Sequence, residues 1–233
     1  MVKRTNKDNV IYNKLIMIRS SLFGKIFLIL GFSFKSWVSF IYYNYFCNKI
    51  ITDSKLPILL YKNCIFELKK NSKLKISSNV QIGYKELAKS KTQTRIKVME
   101  GGTIDFRSHF IIYEGAYIYV GNNARLILGS GFVNENVQII CRQHIEIGDG
   151  ATIGPDVVIR DSDEHCISGK ENKKPIVIGN KVWIGQGAVI LKGVNIGEGS
   201  VIGTKSVVTH DIPKNCLVAG NPARVIKENI FWS

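Results

Sequence analysis

The segment Asp161-Ser162-Asp163-Glu164-His165 sets His165 two residues after Asp163 and four after Asp161. An imidazole is the side chain best suited to take a proton near neutral pH. A nearby carboxylate can fix its tautomer and stabilise the imidazolium that forms. Such a group suits the removal of a proton from an attacking hydroxyl or amine. The other histidines, His109, His144 and His210, lie in irregular stretches or after the last clear unit of a repeat described below. Cys166 follows His165 directly, but neighbours on an extended chain point to opposite sides. It is therefore read as a small apolar residue and not as a nucleophile.

This segment interrupts a pattern that must position it. Aliphatic residues recur every six positions, first as Ile147, Ile153 and Ile159, then as Ile178, Ile184, Ile190, Ile196, Ile202 and Val208. A glycine follows most of them (Gly148, Gly154, Gly179, Gly185, Gly197, Gly203), and a small or β-branched residue often stands four places on. A period of six fits neither a helix nor an alternating strand. It predicts a solenoid of short strands meeting at corners, each aliphatic pointing inward and each glycine easing a turn, with three units to a triangular coil of about 18 residues. From Ile159 to Ile178 is one position more than that coil, and the segment between them is charged and aperiodic. It predicts a loop, residues 161–176, pushed out of one coil before the register resumes. Polar excursions on a rigid scaffold are where chemistry tends to sit. Trp183, one nominal coil after His165, is expected at the same corner.

The runs IGDGATIGPDVVI and VWIGQGAVILKGVNIGEGSVIGTKSVVT, with the closing GNPARVI, resemble the hexapeptide-repeat acyltransferases. The likeness is specific over residues 145–226 and weaker over the sixty or so before them. It implies an all-β fold, a left-handed parallel β-helix; the handedness comes from the resemblance, since parallel crossovers are ordinarily right-handed. DSDEH followed by VWIG further resembles bacterial sugar and polysaccharide O-acetyltransferases. That likeness implies a homotrimer in which acetyl-CoA lies between two β-helices and an acetyl group passes to a hydroxyl of a sugar or surface polysaccharide. His165 would be the general base and Asp163 or Asp161 its orienting carboxylate. Trp183 would lie by the thioester and acceptor, its indole or backbone N–H groups stabilising the oxyanion. Gly185 and Ala188 would face the pantetheine arm, while Thr204, Lys205 and Arg224 would approach the nucleotide end. The γ-class carbonic anhydrases are similar β-helices, but the pair of histidines five apart that they use for zinc is missing, so no metal is expected. An amino-sugar N-acetyltransferase and a non-catalytic β-helix scaffold are the alternatives.

The remaining sequence frames this unit. At 233 residues the chain allows one or two domains with a substantial core. Five cysteines, odd in number and without a CxxC pair, suit a reducing compartment and not a disulfide framework. The net charge of +14 lies wholly in residues 1–100, which hold 19 Lys and Arg against 5 Asp and Glu; the rest is neutral. That asymmetry points to an anionic partner, a membrane surface or an acidic glycan, and no nucleic acid is expected. Residues 1–63 are predicted as a basic, aromatic, mainly helical segment, 64–213 as the β-helix, and 214–233 as a turn and short C-terminal helix. The uncharged runs 26–34 and 36–48 are shorter than the ~20 residues of a spanning helix, and Lys35 between them would cost ~2.5–3.5 kcal/mol at its centre. A cytoplasmic protein is expected, peripheral at most to the inner face of the plasma membrane.

Overall fold

The computed structural model describes residues 38–39, 41–52, 58–61, 63–84, 92–166, 168–169 and 172–233. Among them the strands form three sheets of seven, nine and seven, and successive strands of the chain, the final hairpin apart, pass from one sheet to the next. The first sheet runs from Ile50–Thr52 to Asn195–Ile196, the second from Ile58–Leu60 to Ala223–Lys227, and the third from Cys64–Leu68 to Val207–Val208. All strand pairings in these sheets are parallel except the last of the second. The result is a parallel β-helix of triangular section.

Alternation within each strand sends every second side chain inward. Parallel register stacks those side chains coil upon coil: Ile118, Ile139, Ile159 and Ile190 form one buried column, and Ile104, Leu126, Ile145 and Ile176 another. Each buried aliphatic stabilises the fold by about 1.5–3 kcal/mol relative to exposure. Phe106 and Phe110, both fully buried with ring centroids 6.3 Å apart, fill the wider early coils. Truncating either to Ala would cost about 3–5 kcal/mol.

The glycines after the inward aliphatics have a different purpose from easing a turn. Gly148, Gly154, Gly179, Gly185, Gly197 and Gly203 do not adopt positive φ; the left-handed residue stands two places later, as in Gly150, Asp156, Lys181, Gly187, Gly199 and Lys205. What the first glycine permits is close approach of coils. A Cβ on Gly185 would lie 2.7 Å from the backbone N of Thr204, and one on Gly179 2.7 Å from that of Glu198.

Two boundaries differ from expectation. Ile50–Thr52 pairs with Lys73–Ile76 and Ile58–Leu60 with Val80–Tyr84, so the solenoid begins before residue 64. A short helical turn, Tyr42–Phe46, covers that first coil: Tyr43 packs on Phe66 with centroids 4.7 Å apart, and the Asn44 amide exchanges hydrogen bonds with Ile58 N–H and C=O at 3.0 and 2.9 Å. The part of the expected N-terminal helical segment before residue 38 lies outside the described residues. The expected C-terminal helix is replaced by strands. Leu217–Gly220 pairs in parallel with Val201–Ile202, and Ala223–Lys227 folds back on it antiparallel. β-branched Val225 and Ile226 favour that pairing, which covers the edge of Leu217–Gly220. Among the described residues no helix is long and apolar enough to cross a membrane.

Candidate active site

The excursion is longer than the spacing of Ile159 and Ile178 suggests, because those residues belong to different sheets. Ile145 pairs with Ile176, well over a coil and a half further along the chain, whereas Val177 pairs with Asn195 a single coil on. Residues 161–175 therefore leave at the edge between the third and first sheets. Their neck is a two-stranded ladder: Ser162 bridges Lys173, Asp163 N–H donates to Asn172 C=O at 2.9 Å, and Lys174 N–H to Asp161 C=O at 3.0 Å. Beyond it Glu164, His165 and Cys166 are exposed.

Neither aspartate meets the imidazole. Asp161 is fully buried, and its Oδ1 accepts the N–H of Arg142 at 2.6 Å. Its Oδ2 accepts those of Gln143 and His144, both at 2.8 Å. The carboxylate thus closes the corner of the preceding coil, where three N–H groups converge on it. Asp163 pairs with Lys192 at 2.5 Å, on the same edge one coil later. No described residue hydrogen-bonds the His165 ring. His165 thus stands in solvent on a loop whose root is fixed.

Trp183 is not at His165's corner. Its strand, Trp183–Ile184, lies in the second sheet between Thr152 and Val201, and the indole points outward with 43% of its surface exposed. Trp232 packs against it with ring centroids 5.9 Å apart. The one-coil spacing misleads because His165 sits inside the excursion and does not count towards a coil.

The residues expected at the donor do cluster, at the edge between the second and third sheets. Gly185 lies beneath Thr204, and a Cβ on Gly187 would fall 2.6 Å from Lys205 Nζ, so that lysine extends over the corner below. Ala219 stacks over Gly203 and pairs across the final hairpin with Arg224. Thr204, Lys205 and Arg224 are exposed there together, two cations suited to phosphate oxygens. Ala188 departs from expectation. Its side chain is buried in the core, its N–H donates to Gly185 C=O at 3.2 Å, and its C=O accepts Val158 N–H at 3.0 Å. Gly185 N–H is likewise committed, to Ile202 C=O at 2.8 Å. Neither amide is open to a pantetheine arm.

Sequence spacing missed Arg142, Tyr119 and Glu164. Arg142 Nε and Nη2 each meet Glu164 at 2.8 Å, Nη1 meets the Tyr119 hydroxyl at 2.7 Å, and Cζ lies 4.3 Å from the Tyr119 ring centroid. Arg142 and Tyr119 sit on coils too long for the hexapeptide pattern, and Glu164 sits on the aperiodic excursion, so spacing does not pair them. His144 lies beside them, with Nε2 3.7 Å from Glu146. Among the described residues no cluster of His, Cys, Asp and Glu is arranged to hold a metal ion.

Comparison with known proteins agrees with this architecture. Residues 175–210 match the family model described as bacterial transferase hexapeptide (six repeats). YJL218W of Saccharomyces cerevisiae, named as an acetyltransferase, is 33% identical over 174 residues, 72% of this chain and 85% of its own. A galactoside O-acetyltransferase of Escherichia coli K12 is 40% identical over 119 residues, 49% of this chain and 55% of its own. A polysialic acid O-acetyltransferase of Escherichia coli O1:K1 is 34% identical over 133 residues, 54% of this chain and 41% of its own. The chain thus spans about half the length of these two O-acetyltransferases but most of the yeast protein. With three parallel sheets, the hexapeptide match and most of the yeast relative covered, the chain belongs to the hexapeptide-repeat acetyltransferases.

Proposed function

We propose that this protein transfers an acetyl group from acetyl-CoA to a hydroxyl of a sugar or polysaccharide, with His165 as general base. His165 takes the hydroxyl proton while the oxygen attacks the thioester carbonyl carbon. The C–S bond then breaks, the ester forms, and the imidazolium returns its proton to the departing thiolate. The observation that carries the reading is the exposed His165 on an excursion rooted at two points, by the Asp161 and Asp163 contacts. Similarity to sugar and polysialic acid O-acetyltransferases supports a hydroxyl acceptor.

Lys205 and Arg224 would hold donor phosphates, with Thr204 beside them and Trp183 on the adjoining sheet. That surface and His165 stand on different edges of one prism. A second copy would therefore complete the site, His165 of one subunit facing the donor edge of its neighbour. Each copy gives one face and receives another, a heterologous contact that closes as a ring, here a trimer. The N-terminal charge would favour a place near the inner face of the plasma membrane or on an acidic glycan.

The test is acetyl transfer by His165→Ala. Transfer should fall by about 10²–10⁴-fold, the usual scale for losing a positioned base. Folding and assembly should be unchanged, since an exposed loop side chain contributes little packing. Near-full transfer by the variant would refute the assignment.

A further inference from the structure

Asp161 and the neck ladder fix the root of the excursion, but the residue next to His165 has a holdfast of its own. Glu164 is in the left-handed region, with φ 65°. A glutamate does not favour that conformation unless contacts over-determine it. Two do. Its N–H donates to the buried Ser162 Oγ at 2.9 Å, and its carboxylate takes both arms of the Arg142 fork. Arg142 is fixed in turn by the Tyr119 hydroxyl and ring and by its own N–H on Asp161. One arginine therefore ties the third sheet, the corner at 142–144 and the residue preceding the imidazole into a single unit.

We infer that Arg142 and Glu164 are positioning residues, which set the direction in which His165 leaves the backbone. The inference rests on His165 being the base. The pair is half-exposed, so as an ion pair alone it adds little to stability. Its geometric effect is different: a paired planar fork fixes orientation as well as distance, which an ammonium cannot do. Moving a catalytic group by ~1 Å is enough to cost on the order of 10²-fold in rate.

The experiment compares full-length Arg142→Gln, Arg142→Lys, Glu164→Gln, Glu164→Gly, the Arg142→Gln/Glu164→Gln double variant and His165→Ala, measuring kcat, KM for acetyl-CoA and thermal midpoint. Arg142→Gln should lower kcat about 10- to 100-fold while KM for acetyl-CoA stays within about twofold. Its midpoint should stay within about 2 °C of the parent's. Arg142→Lys should not restore the rate. Glu164→Gly frees the left-handed backbone yet should remain slow, because the fork is lost. The double variant should be no slower than Arg142→Gln alone, since both changes remove one contact. If His165→Ala is inactive while Arg142→Gln and Glu164→Gln keep full kcat, the positioning claim fails and the base assignment survives. If His165→Ala is active, the base assignment itself fails. Loss of rate only in step with loss of thermal midpoint, in both Arg142→Gln and Glu164→Gln, would make the pair merely structural and overturn the inference.

Discussion

Asp161 Oδ1 lies 2.6 Å from the backbone N of Arg142, and Asp161 is fully buried. Its carboxylate satisfies three N–H groups of a turn, all from the one corner at 142–144. Hydrogen bonds to a charged acceptor contribute about 1.5–3 kcal/mol each, and buried donors left bare cost more. Asp161→Ala should therefore destabilise the protein by about 2–4 kcal/mol in denaturant unfolding. Asp161→Asn, which keeps one acceptor oxygen, should lose less. An orienting residue for His165 would behave otherwise, losing kcat with an unchanged unfolding curve.

A site completed across subunits has a distinctive signature. His165→Ala keeps the donor edge; a Lys205→Ala/Arg224→Ala variant keeps the base. Each alone should be nearly inactive, but random co-assembly in equal amounts should restore about a quarter of wild-type sites, where an intact base meets an intact donor edge. Co-expression with two affinity tags, followed by transfer assays on purified mixed species, measures this. Mixed assemblies no more active than the separate variants would place the whole site within one subunit.

How legible the protein was depended on coil length. Where a coil keeps to three hexapeptide units, as between Val189 and Val207, the aliphatic period shows in the sequence. Earlier coils pair Thr103 with Arg125, Gly131 with Ala151 and Arg125 with His144, and each of these steps is longer than three such units. Extra corner residues, with Asn123 and Asn136 in left-handed positions, break the period without disturbing the inward columns. The shared corner of Gly185, Thr204 and Lys205 was legible because corner residues stack in strict register. The surroundings of His165 were not: spacing cannot tell that Asp161 turns inward, or that Arg142, from the preceding coil, reaches the loop. The C-terminal helix was misread because Val225 and Ile226 suit a strand once Leu217–Gly220 offers an edge.

The cysteines give a chemical check on the excursion. Cys166 is exposed beside His165, whereas Cys141 is buried. Burial, and then the adjacent Asp161 charge, push the Cys141 thiol far above its ordinary range, so it stays protonated and unreactive. Iodoacetamide at mildly alkaline pH should modify Cys166 in the folded protein, with Cys141 reacting only after unfolding. Peptide mapping by mass spectrometry reads the order. Modification of Cys141 ahead of Cys166 in folded protein would contradict the structure of this edge.

The basic N-terminal half calls for a cut placed by the structure. Ile50–Thr52 and Ile58–Leu60 already belong to the first coils, and the turn ahead of them is bound in through Tyr43 on Phe66 and Asn44 on Ile58. Removing residues 1–50 would strip that cover and expose the end of the core. Removing residues 1–37 leaves it in place. Two sources of anionic charge can then be separated. A membrane surface would act on the basic, aromatic residues ahead of the first coil, where each Lys or Arg is worth about 1 kcal/mol against anionic lipid. An acidic glycan would instead meet the exposed Lys70, Lys73 and Lys75 of the early coils; Lys69 is less available, because Glu67 holds it at 2.7 Å. The truncated protein should fold, keep its acceptor KM and lose co-sedimentation with phosphatidylserine vesicles. If KM for an acidic acceptor rises with salt in both forms while neither binds vesicles, the charge serves the glycan. Full-length protein with neither vesicle binding nor a salt-dependent acceptor KM would leave the basic half without an anionic partner and overturn the expectation drawn from its charge.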